Sequence, residues 1–344
     1  MDSLRRPRLT PVIADVRRAV RGALTSPSEL LPETPTATPA DVADAPLLLV
    51  ALSGGADSLA LAAATAFEAP RAGLRAGAVI VDHGLQDGSA EVAARAAEQA
   101  RELGLEPVLV VAVAVGVDGG MEAAARAARY GALERVLAET GARGILLGHT
   151  LDDQAETVLL GLARGSGPTS LHGMAAQTGP YLRPLLGIRR ADTLQFCADS
   201  GLTPWHDPHN TDPAYARVQV RETVLPVLEA ELGPGVAEAL ARTAEQLRED
   251  SAALDEMVLE FIEEICEPAE AGIAVSVAAL AANPAALRQR VIRFVVHSEF
   301  GVTLERVHTL AIARLVTDWH GQKALNVPGV RVERSAGLLV FTAA

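Results

Sequence analysis

The chain has 344 residues, a net charge of −13, 49% apolar residues and only 3% aromatic ones. That length suits two domains with a sizeable aliphatic core. The acidic balance excludes a general basic surface for nucleic acid, so an RNA contact needs a local patch; the scarcity of aromatics excludes a base-stacking platform.

Residues 11–24 have helical periodicity, with Val12, Val16, Ala19, Val20 and Ala23 apolar. Residues 1–24 carry six arginines against Asp2 and Asp15, and five prolines follow between Thr25 and Pro46. Residues 1–46 therefore read as a basic helix and a linker. Continuous apolar runs at 47–52 and 78–81 predict strands buried on both faces, and 108–115 and 144–147 read as the third and fourth strands. Helical stretches are predicted after each, at 57–67, 91–103, 122–139 and 152–163. Four such alternations predict an α/β fold with a doubly wound parallel sheet, which binds ligands at the C-terminal ends of its strands. Residues 165–184, rich in Gly and Pro, read as a long loop. Helices are predicted again at 188–200 and 216–230. Gly-Pro-Gly at 233–235 sets the predicted boundary between a catalytic domain, 47–232, and a smaller, mainly helical domain, 233–344. The latter holds a long helix at 236–265, helices at 284–299 and 304–317, and a terminal β-hairpin around Arg334–Gly337.

The sharpest motif is Ser53-Gly54-Gly55-Ala56-Asp57-Ser58, between the first strand and its helix. Paired glycines let the backbone approach an anion, and the helix start offers free N–H groups and a positive dipole end. Asp57 would repel phosphates unless Mg²⁺ lies between. A Walker loop is excluded, because the single lysine, Lys323, lies near the C-terminus, and G-x-G-x-x-G is absent here. The hexapeptide resembles the pyrophosphate loop of the N-type ATP pyrophosphatases (PP-loop), which implies ATP as co-substrate and adenylation of a carbonyl oxygen.

Further stretches narrow the resemblance. They are Val81-Asp82-His83-Gly84-Leu85, Glu122 to Tyr130 with Arg126 and Arg129, and Gly148-His149-Thr150-Leu151-Asp152-Asp153-Gln154-Ala155-Glu156-Thr157. After these come Arg164-Gly165, His172-Gly173-Met174, Arg183-Pro184-Leu185-Leu186, and the series Asp207, Asn210, Arg217, Arg221 and Leu225-Pro226. In this order, over about residues 50–228, they resemble the tRNA(Ile)-lysidine synthetase family; Thr150 stands where a second histidine is usual. The resemblance implies ligation of free L-lysine to C2 of the wobble cytidine in the CAU anticodon of an isoleucine tRNA. ATP first adenylates the cytidine O2 and releases pyrophosphate; the lysine amine then displaces AMP, changing the codon read from AUG to AUA.

By that resemblance Asp57 takes the Mg²⁺ and phosphate role, and Ser53 through Ser58 hold ATP. Arg129 and His149 position the activated cytidine and its phosphates. Asp153 and Glu156, three apart on a helix and so on one face, take the lysine. Arg126, Arg164, Arg217 and Arg221 are the expected tRNA contacts, although Arg217 and Arg221 also suit a salt-bridge network with Asp207 and Asn210. The region after Gly233 is expected to recognise tRNA. The rival readings of the loop are a tRNA thiolase, an amidotransferase synthetase and a non-catalytic nucleotide-binding module. Cys197 and Cys266 have no spacing for a cluster or a disulfide framework, and no early cysteine marks a glutaminase. With no apolar run of membrane-span length and no signal peptide, a cytoplasmic enzyme is expected, with no membrane and no obligate protein partner.

Overall fold

The computed structural model describes residues 9–26, 30, 45–84, 88–114, 116, 121–165, 168–207, 212, 215–269 and 272–344. The chain forms two compact units, one through Glu245 and one from Gln246 to Ala344. No helix among the described residues is long and apolar enough to cross a membrane.

In the first unit α1 (Pro11–Thr25) is followed by β1 (Leu47–Ala51), α2 (Ala56–Glu68), β2 (Arg75–Asp82) and α3 (Ser89–Glu102). Then come β3 (Val108–Ala112), α4 (Met121–Thr140), β4 (Gly144–Leu146) and α5 (Leu151–Arg164). With β5 (Gln177–Thr178) and β6 (Tyr181–Leu182), the sheet order is β3-β2-β1-β4-β6-β5, parallel except for β5 against β6. Successive residues of β1 face opposite sides. Leu48 and Val50 pack with α1, α2, α3 and the later residues Phe196 and Cys197, whereas Leu47 and Leu49 pack with Leu133 and Val136 of α4. Both faces are buried, hence the unbroken apolar run. Strand order reverses between β1 and β4, which opens the ligand crevice above those two strands.

The predicted loop at 165–184 is more than a loop. It contains a 3-10 turn, Pro168–Leu171, and two short strands, β5 (Gln177–Thr178) and β6 (Tyr181–Leu182), that extend the sheet beyond β4. Two-residue strands have no period to read. The N-terminal helix is built into this unit: Ile13, Val16, Val20 and Leu24 are buried, the Thr10 hydroxyl bonds Asp199, and Arg21 pairs with Glu68 through two hydrogen bonds. Burying four such side chains contributes about 1.5–3 kcal/mol each.

Next come α6 (Arg190–Ser200), α7 (Ala216–Gln219), a π-helical turn (Val220–Val224) and α8 (Leu225–Leu232). A single helix is predicted over 216–230, and Pro226 explains the difference. Without an N–H it cannot close the ordinary i→i−4 bond, and Leu225 N–H reaches back to Val220 O instead.

α9 (Val236–Ile265) starts just after Gly233-Pro-Gly and runs across the division between the units. The second unit continues with β7 (Cys266–Ala269), β8 (Gly272–Ser276), α10 (Val277–Ala282), α11 (Ala285–Phe300) and α12 (Arg306–Thr317). It ends with β9 (Leu325–Val327), β10 (Val330–Ser335) and β11 (Leu338–Ala343). The expected hairpin is present, with Ser335 opposite Leu338 and both turn residues, Ala336 and Gly337, at positive φ. It belongs to a larger antiparallel sheet, β7-β8-β11-β10-β9. The edge strand β7 escapes sequence reading because it reads Cys-Glu-Pro-Ala, with a proline that only an edge tolerates. Val330, Val332, Leu339 and Phe341 pack against Val291, Val295 and Ile312 of the helices.

Candidate active site

The loop after β1 is shaped for an anion. Gly54 has φ +86°, a left-handed conformation that favours glycine. Its carbonyl accepts the Trp205 N–H at 2.8 Å. The N-cap of α2 is Gly55, with no side-chain cap, so the first N–H groups of the helix lack the usual side-chain acceptor. The Ser58 hydroxyl is internal to the loop: it donates to Gly55 O at 3.0 Å and accepts from Ser53 N at 3.2 Å. Gly148, after β4, lies close beneath. A Cβ there would meet Ser58 N at 3.0 Å and Asp57 C at 3.1 Å. The loop thus fits a nucleotide's phosphates. Among the described residues no three His, Cys, Asp or Glu gather as a metal centre. Asp57 alone at the loop suits Mg²⁺, which takes one or two carboxylates and completes its shell with phosphates and water.

Asp57 does not cap α2. One oxygen accepts a short hydrogen bond from the Thr193 hydroxyl, and the other lies 3.5 Å from Arg190 Nε. Burial raises its pKa above the usual carboxylate value, against the opposing pull of Thr193 and Arg190.

Thr150 and Asp153 form a reciprocal capping box at the start of α5. Asp153 Oδ2 accepts both the Thr150 N–H and its hydroxyl at 2.8 Å, and Asp153 N–H donates to Thr150 Oγ1 at 3.4 Å. Asp153 Oδ1 pairs with Arg190 Nη2 at 2.8 Å and Arg221 Nη2 at 3.5 Å. Burial works to raise the Asp153 pKa, but Arg190, Thr150 and His149 outweigh it and hold the carboxyl below its usual range. Glu156, with a side chain 0% exposed, takes Arg221 Nε at 2.8 Å and Nη2 at 3.1 Å, Arg190 Nη1 at 3.2 Å and Arg217 Nε at 3.7 Å. The two carboxylates share a face, as the spacing predicts, but arginines already hold them. Arg217 and Arg221, expected at RNA, are directed to this buried pair; full burial of Glu156 demands cationic partners. Asp152 accepts the Arg190 N–H at 2.7 Å and pairs with Arg189 at 3.0 Å.

A second group gathers arginines rather than carboxylates. Arg129, on α4, has no carboxylate partner among the described residues; burial, then Arg126 and Arg217, lower its pKa, against Tyr130. Arg126 lies exposed over the Tyr130 ring at 4.8 Å. His149 has a buried Nδ1 without a hydrogen-bond partner among the described residues. Burial lowers its pKa to about 4, Asp153 opposing and Arg183, Arg129 and Arg126 assisting. Arg164 is exposed at the far end of α5, and Asn210 lies outside the described residues. Sequence reading missed Arg190 and Thr193. Their signal was weak: two polar residues opening a helix, with no motif to single them out.

The His149 shift carries a stability signature. Its folded pKa, about 4, lies below the unfolded value near 6.5, so the neutral ring contributes stability above about pH 6.5 that is lost as pH falls through about 4. Urea unfolding of wild type and His149→Asn across that window should show a shallower loss toward acid in the variant. Parallel profiles would exclude a buried neutral imidazole.

Comparison with known proteins fits this arrangement. A family profile described as a PP-loop domain matches residues 33–228, and one described as the TilS substrate binding domain matches residues 276–340. The tRNA(Ile)-lysidine synthase of Leifsonia xyli subsp. xyli is 67% identical over 89% of this chain and 92% of its own. The chain belongs to the tRNA(Ile)-lysidine synthase family. The synthase of that name from Thermobifida fusca is 50% identical over 93% of this chain and 94% of its own, and that of Streptomyces coelicolor 48% over 85% and 84%. The U34-tRNA thiolase NcsA of Methanococcus maripaludis, solved with its [4Fe-4S] cluster, superposes with a TM-score of 0.54 at 21% identity, covering 69% of this chain and 80% of that one. That likeness is one of fold.

Proposed function

We propose that this protein ligates L-lysine to C2 of the wobble cytidine in the CAU anticodon of tRNA(Ile), with ATP cleaved to AMP and pyrophosphate through an adenylated cytidine, in the cytoplasm. One observation carries the reading: a single side chain, Arg190, touches both Asp57 of the phosphate loop and the acid pair Asp153 and Glu156. A reaction that activates with ATP and then admits an amine needs those two subsites side by side.

In this reading the Gly54-Gly55 backbone and the start of α2 cradle the phosphates, flanked by Ser53, Ala56 and Ser58. Asp57 would hold Mg²⁺, whose charge would offset that of the phosphates. Arg129 meets the negative charge developing at the α-phosphate, where an unpaired, desolvated guanidinium is most effective. His149, neutral, hydrogen-bonds the cytidine or phosphate rather than opposing them with charge. Asp153 takes the lysine amine, with Glu156 behind it. Arg126 and Arg164 are the exposed candidates for tRNA phosphates, Arg217 and Arg221 act through Glu156, and the C-terminal region recognises the remaining tRNA.

Thiolation fits less well. Burial, then Asp57, pushes the Cys197 thiol up to about 12, and burial, then Glu299, pushes Cys266 up to about 11, so neither supplies a thiolate. Pyrophosphate release from ATP should require a CAU-anticodon tRNA, and its continuation beyond one turnover should require L-lysine as well. Release supported by a sulfur donor, aspartate or glutamine instead would overturn the assignment.

A further inference from the structure

The amine subsite of this reading already contains a cation. Asp153 has one oxygen committed to capping α5, where it accepts both the N–H and the hydroxyl of Thr150. Its other oxygen is the one left for an incoming ammonium, and Arg190 Nη2 sits on it at 2.8 Å, with Arg221 Nη2 farther off at 3.5 Å. Glu156 offers no alternative, since it is sealed from solvent and held by two nitrogens of Arg221. Arg190 uses its three nitrogens on three carboxylates: Nε on Asp57, Nη1 on Glu156 and Nη2 on Asp153. Three guanidiniums, Arg190, Arg217 and Arg221, balance those three carboxylates, so no negative charge remains uncompensated for a substrate cation. Of the three arginines, Arg190 alone reaches Asp57.

We propose that Arg190 is an internal occupant of the amine subsite: the substrate's ammonium must displace Arg190 Nη2 from Asp153 Oδ1, so that Arg190 is a positioning residue that sets how tightly the amino acid binds. This rests on the lysine assignment made above. When displaced from Asp153, Arg190 keeps its contacts with Glu156 and Asp57, which makes the exchange local. The guanidinium fork cannot be reproduced by an ammonium, which acts as a point charge and cannot cover three carboxylates at once.

The test uses the full chain with Mg²⁺, ATP and tRNA, comparing wild type with Arg190→Gln and Arg190→Lys. Removing the competing cation should lower the lysine KM about tenfold in Arg190→Gln and about threefold in Arg190→Lys, with kcat unchanged or lower. Thermal stabilisation by L-lysine alone should grow in the same order. Glu156 stays paired with Arg221 in both variants, and Arg190→Lys keeps the charge should Arg190→Gln not fold. A merely structural Arg190 would lower the melting temperature while leaving the lysine KM unchanged or raised, and that result in the folded variants overturns the inference. Lysine-dependent turnover in the wild type separates the two claims: if it is present and neither variant shifts KM, the inference fails alone; if it is absent, the lysine assignment fails and takes the inference with it.

Discussion

Asp57→Asn should lower the rate of lysine- and tRNA-dependent pyrophosphate release by roughly two to three orders of magnitude, the loss typical of removing one preorganised electrostatic contact from a reacting phosphate. The asparagine is nearly isosteric and keeps an oxygen for the Thr193 hydroxyl, so folding should survive. What disappears is the negative charge at the first turn of α2. That charge is unfavourable to bare phosphates and favourable only with a divalent ion between them. The variant should therefore also lose the Mg²⁺ dependence of ATP binding, read by calorimetric titration with and without the metal. Turnover within threefold of wild type would remove Asp57 from the mechanism.

Glu156→Gln should damage the fold more than any other single change at the site. The carboxylate is fully buried and faces Arg190, Arg217 and Arg221. Breaking a buried ion pair from one side leaves uncompensated charge and costs about 3–5 kcal/mol. The arginine side chains are 21–35% exposed, which lets water screen part of that charge and favours the lower end. For a unit of this size, about 3 kcal/mol corresponds to a melting temperature lower by roughly 6–12 °C. Calorimetry would show it, and a drop under about 2 °C would mean that the arginines find other partners. Glu156→Ala should fare no better, since the cavity adds to the unpaired charge.

The sequence made the sheet legible because both faces of β1, β2 and β4 are buried, which leaves runs such as Leu47–Val50 without a polar residue. It made the loop legible because two adjacent glycines before a helix have few other uses. Asp153 and Glu156 were legible as a pair through their helical spacing. Their partners were not: Arg190 lies 37 residues from Asp153 and Arg221 65 residues from Glu156, and nothing local predicts such a meeting. The same holds for β5 and β6, two residues each, which exist only because β4 offers an edge. Thr150 makes local sense once its hydroxyl is seen to cap α5.

Asp152 accepts the backbone N–H that opens α6, and α6 packs on α2, the helix that starts at the phosphate loop. Three helices are thereby tied into one frame, which carries both the phosphate loop and the acid pair. On the reading proposed above, an amine seated at Asp153 would meet the activated base without either helix having to travel, because α5 and α2 are both tied to α6.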